Sequence, residues 1–168
     1  MIYLRKAEPK DLAEIMRIIQ QARAFLAAAG SDQWQAAYPA TADIERDFAK
    51  AQAYVLVVDG KIGGYCALVV GEEPAYTRIR EGAWTNENLD YVTVHRIALS
   101  DEFRGQSLTK QLFSNLFSLM YAAGYRDFRV DTHPVNKVMQ RVFEREGFVK
   151  RGLVQFEGDR IAYQLELP

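Results

Sequence analysis

Six residues between an apolar strand-like run and a long apolar helix have the types that phosphate binding needs. The stretch Arg104–Thr109 reads Arg-Gly-Gln-Ser-Leu-Thr, and it follows a β-branched run that ends at Leu99. The first N–H groups of a helix lack intrahelical acceptors, and with the helix dipole they favour an anion. Neither the Gly-Lys-Ser/Thr ending of a P-loop nor G-x-G-x-x-G is present, and an ordinary capped helix start is the alternative interpretation.

Composition excludes several classes of function. The 168 residues carry a net charge of −1 and no basic run, so no nucleic-acid partner is expected. No apolar run reaches the roughly 18 residues that would span a bilayer, and no signal peptide begins the chain, so we expect no membrane partner. Cys66 is the only cysteine, which fits the cytoplasm, and one cysteine with two histidines predicts no metal site.

The elements around the phosphate-binding candidate alternate in type. Periodicity and turn residues predict the order β-α-α-β-β-β-α-β-α-β-β in one domain over residues 1–168. Thr41 is the predicted N-cap of the second helix, Asp59-Gly60 a hairpin turn, and Val135 the start of the last helix. The strands near 91–99 and 127–131 are joined by a helix and so form a parallel pair. The rest of the sheet is predicted to be antiparallel, which makes a mixed α/β fold.

The motif and its neighbours resemble the GNAT superfamily of acyl-CoA-dependent N-acetyltransferases. Arg104 matches the first position of the pattern Arg/Gln-x-x-Gly-x-Gly/Ala, while Ser107 and Thr109 replace its small Gly and Gly/Ala positions. A second resemblance covers a helix with Asn near its start and Gly-Phe at its end. Further stretches are similar to one bacterial branch of the superfamily, so the resemblance covers nearly the whole chain; these are Gln33-Trp34 with Tyr38-Pro39, Gly82–Trp84, His95–Ala98 and Asp131–Gln140.

This resemblance implies an acyl-CoA N-acyltransferase fold with about four helices and a parallel fourth and fifth strand that splay apart. It also implies acetyl-CoA as co-substrate, without a metal. The pantetheine arm would pair with one strand edge, the pyrophosphate would lie on the turn, and the last helix would hold the arm. The implied coenzyme-binding residues are Ile97, Ala98, Leu99, Arg104, Gly105, Gln106, Ser107, Leu108, Thr109, Asn136, Met139 and Phe143.

The transfer step needs a base, and His95 on the fourth strand is the preferred candidate because an imidazole titrates near neutral pH. A half-buried structural histidine is the competing interpretation. His133 is a weaker candidate, which could equally cap the next helix. Many members of the superfamily carry a Tyr at the position of Phe143, and a Phe has no proton for the leaving thiolate. Trp34, Tyr38, Trp84 and Tyr91 are candidate walls of the acceptor pocket, although each could be a core residue.

The sequence therefore predicts an enzyme that transfers an acetyl group to a primary amine of a small molecule, amino acid or peptide. The amine would attack the thioester directly in a ternary complex. An acyl-CoA-binding sensor with little or no turnover is the alternative, and a scaffold without cofactor is a third interpretation. Exposed aromatic residues on the long helix would suit a homodimer.

Overall fold

Seven strands and four helices follow one another in the order that the sequence predicts. The computed structural model describes residues 1–168. The strands are β1 (Ile2–Lys6), β2 (Ala53–Val58), β3 (Lys61–Val70), β4 (Val92–Leu99), β5 (Asp127–Thr132), β6 (Val149–Gln155) and β7 (Asp159–Glu166). The helices are α1 (Leu12–Ala28), α2 (Thr41–Ala49), α3 (Leu108–Ala122) and α4 (Lys137–Arg145). Short 3₁₀ turns lie at Pro9–Asp11, Pro74–Arg78 and Asp101–Phe103.

The strands form one mixed sheet in the order β1-β2-β3-β4-β5-β7-β6. Neighbours β1/β2, β2/β3, β5/β7 and β6/β7 are antiparallel. The pair β4/β5 is parallel, with Val92 opposite Phe128 and Thr93 opposite Arg129. The predicted fold class, a mixed α/β sheet with a parallel β4/β5 pair and four helices, is confirmed.

The turn between β2 and β3 has the conformation that its sequence predicts. Asp59 has φ 49° and Gly60 has φ 85°, so both central residues are left-handed. A two-residue hairpin turn of this kind matches the twist of the strands, and Asp-Gly tolerates it at low cost. The hairpin prediction is confirmed.

Two helix starts differ from the predictions. Helix α2 has Ala40 as its N-cap, so Thr41 is already its first helical residue. The side chain of Asp43 turns back and accepts a 2.7 Å hydrogen bond from the Ala40 amide. This bond satisfies an amide at the N-terminus of the helix without a hydroxyl cap. Helix α4 begins at Lys137 rather than Val135, because the Asn136 side chain accepts a hydrogen bond from the Met139 amide and acts as N-cap.

The chain divides into two compact units, Met1–Leu68 with His95–Ser118, and Val69–Val94 with Leu119–Pro168. The core of the first unit is Ile15, Ile18, Ile19, Ile44, Ala53, Val55, Val57, Tyr65 and Ala98. A cluster in the second unit contains Tyr76, Tyr91, Val154 and Ala162. None of the helices has the length and apolar character needed to cross a membrane.

Two glycines in the second unit, Gly82 and Gly152, allow the segment before β4 to lie against β6. Arg80 and Leu153 exchange two backbone hydrogen bonds of 2.8 Å. A Cβ atom on Gly82 would lie 1.8 Å from the carbonyl oxygen of Arg151, so only glycine fits this approach. The contact fixes the path of a segment that carries several predicted site residues.

Candidate active site

The predicted phosphate-binding turn is an exposed loop that leads directly into α3. Arg104, Gly105, Gln106 and Ser107 are all exposed. The amide of Arg104 donates to Asp101 O at 3.2 Å and that of Gln106 to Phe103 O at 3.2 Å, so the turn is held by its own backbone. Gly105 has φ 81° and Ser107 has φ 54°. The position where the GNAT motif has Gly therefore has the left-handed backbone that favours glycine, and here a serine adopts it.

Helix α3 presents its N-terminus at this loop. Leu108, its first residue, is 5% exposed and anchors the helix start, whereas Thr109 is half-buried. The first N–H groups of an α-helix have no intrahelical acceptor, and the helix dipole makes this end positive. The guanidinium of Arg104 lies 5.6 Å from the ring centroid of Phe25. The turn and the helix start together offer exposed donors and one cation to an anion.

Strand β4 contains a left-handed residue within its length. Arg96 has φ 54°, which a non-glycine residue rarely adopts inside a strand. His95, Ile97 and Leu99 are half-buried, and Ala98 is 2% exposed. The backbone thus departs from regular strand geometry between the candidate base and the candidate pantetheine-binding residues.

A buried polar network holds Arg96. Its Nε donates to Asp47 Oδ2 at 2.8 Å, its Nη2 donates to Asp47 Oδ1, and its Nη1 donates to the Tyr38 hydroxyl at 2.9 Å. The Tyr65 hydroxyl donates to the same carboxylate. Burial alone would lower the pKa of Arg96, but the hydrogen bonds and charge of Asp47, with the contribution of Tyr38, raise it above its ordinary value. Burial, and then Asp47, raise the pKa of Tyr65.

Tyr38 and Trp34, two of the predicted pocket walls, have different surroundings. Tyr38 remains 40% exposed although its hydroxyl is bound to Arg96. Trp34 has φ 66° and packs, partly buried, against the core of the first unit. Sequence reasoning missed Asp47 and did not pair Arg96 with it. The available signal was a charged residue, Arg96, inside a strand rich in apolar and β-branched residues.

The remaining predicted coenzyme-binding residues lie on α4, in the second unit. Asn136 Oδ1 accepts from the Met139 amide at 3.1 Å, so that oxygen is engaged as the cap of the helix. Phe143 is 1% exposed, and its ring packs against Phe148 at 5.6 Å and Tyr163 at 5.4 Å between centroids. His133 Nδ1 accepts from the Val135 amide at 3.2 Å, which is local hydrogen bonding just before the helix.

A cleft of about 630 Å³ in the second unit brings Trp84 and Tyr91 together. It is also lined by Tyr76, Arg129, and the exposed Glu72 and Glu87. The Trp84 indole N–H donates to Tyr76 O at 2.8 Å. The Tyr91 hydroxyl accepts from the Glu73 amide at 2.8 Å. Both predicted walls are thus fixed by hydrogen bonds as well as by packing.

Arg129 lies between the two aromatic walls. Its guanidinium carbon is 4.0 Å from the centroid of Tyr91 and 4.7 Å from that of Trp84. Nη2 donates to Asn86 Oδ1 at 2.9 Å, to Asn88 O at 3.1 Å and to Asp127 Oδ2 at 2.9 Å. The residue is 3% exposed, and its Nε is buried without a hydrogen-bond partner.

Asp131 follows on the same face of β5, because residues two apart on a strand point the same way. It accepts a 2.7 Å hydrogen bond from the Tyr76 hydroxyl. Burial, followed by the charge of Asp131, raises the pKa of Tyr76 well above its ordinary value, so Tyr76 stays a phenol at neutral pH. The sequence signal was the alternation Phe128-Arg129-Val130-Asp131, which places charge on one face of a central strand.

Comparison with known proteins identifies the family to which this chain belongs. The model of the acetyltransferase (GNAT) family matches residues 15–148. Because this match covers most of the chain, the chain belongs to the GNAT acetyltransferase family, and the predicted resemblance is confirmed. A search of curated proteins gave no match.

One solved structure supports this assignment by sequence, and two more distant ones share the fold. A GNAT-family acetyltransferase from Streptococcus agalactiae is 38% identical, with 99% of this chain and 96% of that chain covered and a TM-score of 0.93. A GNAT-family acetyltransferase from Listeria monocytogenes is 23% identical, with coverage of 99% and 95% and a TM-score of 0.77. PaiA N-acetyltransferase from Thermoplasma acidophilum, solved in complex with coenzyme A, is 14% identical, with 99% of each chain covered and a TM-score of 0.75.

Proposed function

We propose that the protein transfers the acetyl group of acetyl-CoA to a primary amine, and that the Arg104–Thr109 segment binds the pyrophosphate. The observation that carries this proposal is the exposed left-handed turn at Gly105 and Ser107 that opens into the N-terminus of α3. Its backbone donors and the positive end of the helix dipole suit a doubly charged pyrophosphate. Membership of an acetyltransferase family supports this choice of ligand over any other diphosphate.

The pantetheine arm would use backbone groups of Ile97, Ala98 and Leu99 in the manner of an added strand. For Asn136, Met139 and Phe143 the assignment to coenzyme binding stays a prediction, and Phe143 is 1% exposed.

The reaction requires a neutral amine, because an ammonium has no lone pair for attack on the thioester. His95, half-buried on β4, is the proposed base. The amine nitrogen attacks the acetyl carbon and gives one proton to His95, the carbon–sulfur bond breaks, and the thiolate of coenzyme A leaves. Phe143 has no proton to give, so the thiolate is protonated by water or leaves without a dedicated acid.

A thiol-release assay over a panel of primary amines tests this function. We expect acetyl-CoA-dependent thiol release with at least one amine, and a rise in melting temperature when acetyl-CoA is added. His95→Ala should lower turnover about 10²-fold or more with little change in acetyl-CoA affinity, which is the range for loss of a general base. Saturable binding of acetyl-CoA without turnover on any amine would instead favour an acyl-CoA sensor.

A further inference from the structure

The guanidinium of Arg129 lines the aromatic cleft with part of its hydrogen-bonding capacity unused. Arginine has five N–H donors. Every hydrogen bond that Arg129 makes starts from Nη2, and its buried Nε makes none. A buried donor without an acceptor is costly, and Nη1 also makes no hydrogen bond, so Arg129 retains donors for an acceptor that enters the cleft it lines.

The surroundings of Arg129 restrict the shape of that acceptor. The guanidinium carbon lies 4.0 Å from the Tyr91 ring centroid and 4.7 Å from that of Trp84, and Asp127 holds one end of the group. Because the N–H donors of a guanidinium lie in its plane, a new hydrogen-bond partner must approach in that plane. Carboxylate oxygens match this planar geometry, and a charge-assisted hydrogen bond is stronger than a neutral one.

The charges at the rim of the cleft restrict its chemistry further. Glu72 and Glu87 line the same cleft and are exposed, so they would repel a ligand that carried only negative charge. They would attract an ammonium group. A molecule with one carboxylate and one ammonium complements both the buried cation and the exposed acids.

We infer that this cleft binds the acceptor and that the acceptor is an amino acid or short peptide whose carboxylate contacts Arg129. Its apolar part lies against Trp84 and Tyr91. Carboxylate binding follows from the cleft alone, and the role of the ligand as acceptor rests on the proposed acetyl transfer.

Fluorescence of Trp84 reports directly on this cleft. The chain has two tryptophans, so Trp34→Phe leaves Trp84 as the only one. L-phenylalanine, L-methionine and L-lysine are titrated into this variant without acetyl-CoA, each against its own carboxamide. We expect a saturable change with at least one acid, and at least tenfold weaker binding of the matching amide, because the amide loses the charge-assisted bond. Equal or tighter binding of every amide overturns the inference, as does the absence of saturation by any acid up to about 10 mM.

A paired substitution tests the role of Arg129 itself. Arg129→Gln alone would leave Asp127 buried and unpaired, so it is combined with Asp127→Asn. The double variant should lose the preference for acid over amide, whereas Arg145→Gln, which removes an exposed arginine from the end of α4, should keep it. Retention of the preference by a folded double variant contradicts the inference. If the double variant does not fold, the ligand pairs on Trp34→Phe decide alone.

The two proposals fail in distinguishable ways. The fluorescence titrations contain no acetyl-CoA, so they are unaffected if transfer does not occur. When acetyl-CoA is present, the acid of a binding pair should have a kcat/KM for thiol release at least tenfold above that of its amide. An amide that reacts faster than its acid would overturn the assignment of this cleft to the acceptor.

Discussion

Replacing Asp47 by Asn removes the charge that balances a buried arginine. The side chains of Arg96 and Asp47 are 15% and 4% exposed, and the carboxylate receives two hydrogen bonds from Arg96 and one from Tyr65. Breaking a buried ion pair on one side costs about 3–5 kcal/mol, and the partial exposure of Arg96 favours the lower end. At roughly 2–4 °C per kcal/mol for a chain of this size, about 3 kcal/mol corresponds to a fall of roughly 6–12 °C in Tm.

Urea unfolding and a double-mutant cycle measure this cost. The cycle uses Asp47→Leu and Arg96→Met, made singly and together. The double variant replaces the pair by apolar side chains and should recover most of the free energy of unfolding that each single variant loses. Glu14→Gln is the control, because Glu14 and Arg17 form an exposed helix pair and should contribute less than about 1 kcal/mol. If the free energy of unfolding of Asp47→Asn is within about 0.5 kcal/mol of that of the parent protein, the network of Asp47, Arg96 and Tyr65 does not stabilise the fold.

Three further substitutions test local features. Ser107→Gly should raise the free energy of unfolding by about 0.5–1 kcal/mol in urea titrations, because glycine adopts φ 54° without a Cβ penalty; a loss of stability would contradict the left-handed turn. Gly82→Ala should lower it by about 3 kcal/mol, because the new Cβ would lie 1.8 Å from Arg151 O; an unchanged urea midpoint would refute that approach. Burial, then the charge of Asp47, raises the pKa of Cys66 to about 12 from 9.0, so a thiol reagent should label it at pH 8.5 only after unfolding. The folded state keeps this proton between pH 9 and 12 while the unfolded state loses it. The stability of the parent relative to Cys66→Ala should therefore fall with rising pH by about 1.4 kcal/mol per pH unit, and equal slopes would contradict the shift.

Sequence reasoning recovered the elements because they depend on local patterns. The Asp59-Gly60 turn and the parallel pair of β4 and β5 follow from turn chemistry and from the helix between the two strands. The errors lie at helix starts. The sequence does not reveal which polar side chain satisfies the first amides, so Asp43 and Asn136 were not recognised as the groups that do.

The parts of the site that depend on local backbone conformation could be predicted from the sequence. The parts formed by side chains that are distant in the sequence could not. The GNAT pattern correctly marked residue 107 as a position that favours glycine, although serine occupies it. Arg129 and Asp131 are separated by more than 30 residues from the aromatic residues that cover them. No periodicity or spacing predicts that Trp84 and Tyr91 enclose a guanidinium. Long-range pairing of this kind depends on the folded packing of the 72–91 segment.

Calorimetric titration of acetyl-CoA into Gly105→Glu tests the central claim most directly. A Cβ at Gly105 would meet no atom within 4 Å, so the variant should fold, with only the strain of a left-handed residue. Gly60→Glu is a matched control, because Gly60 has φ 85° against 81° and is equally open. We expect acetyl-CoA affinity to fall at least 100-fold, or about 2.7 kcal/mol, in Gly105→Glu and to stay at the parent level in Gly60→Glu. Equal affinity in the two variants would show that the pyrophosphate does not bind at Arg104–Thr109.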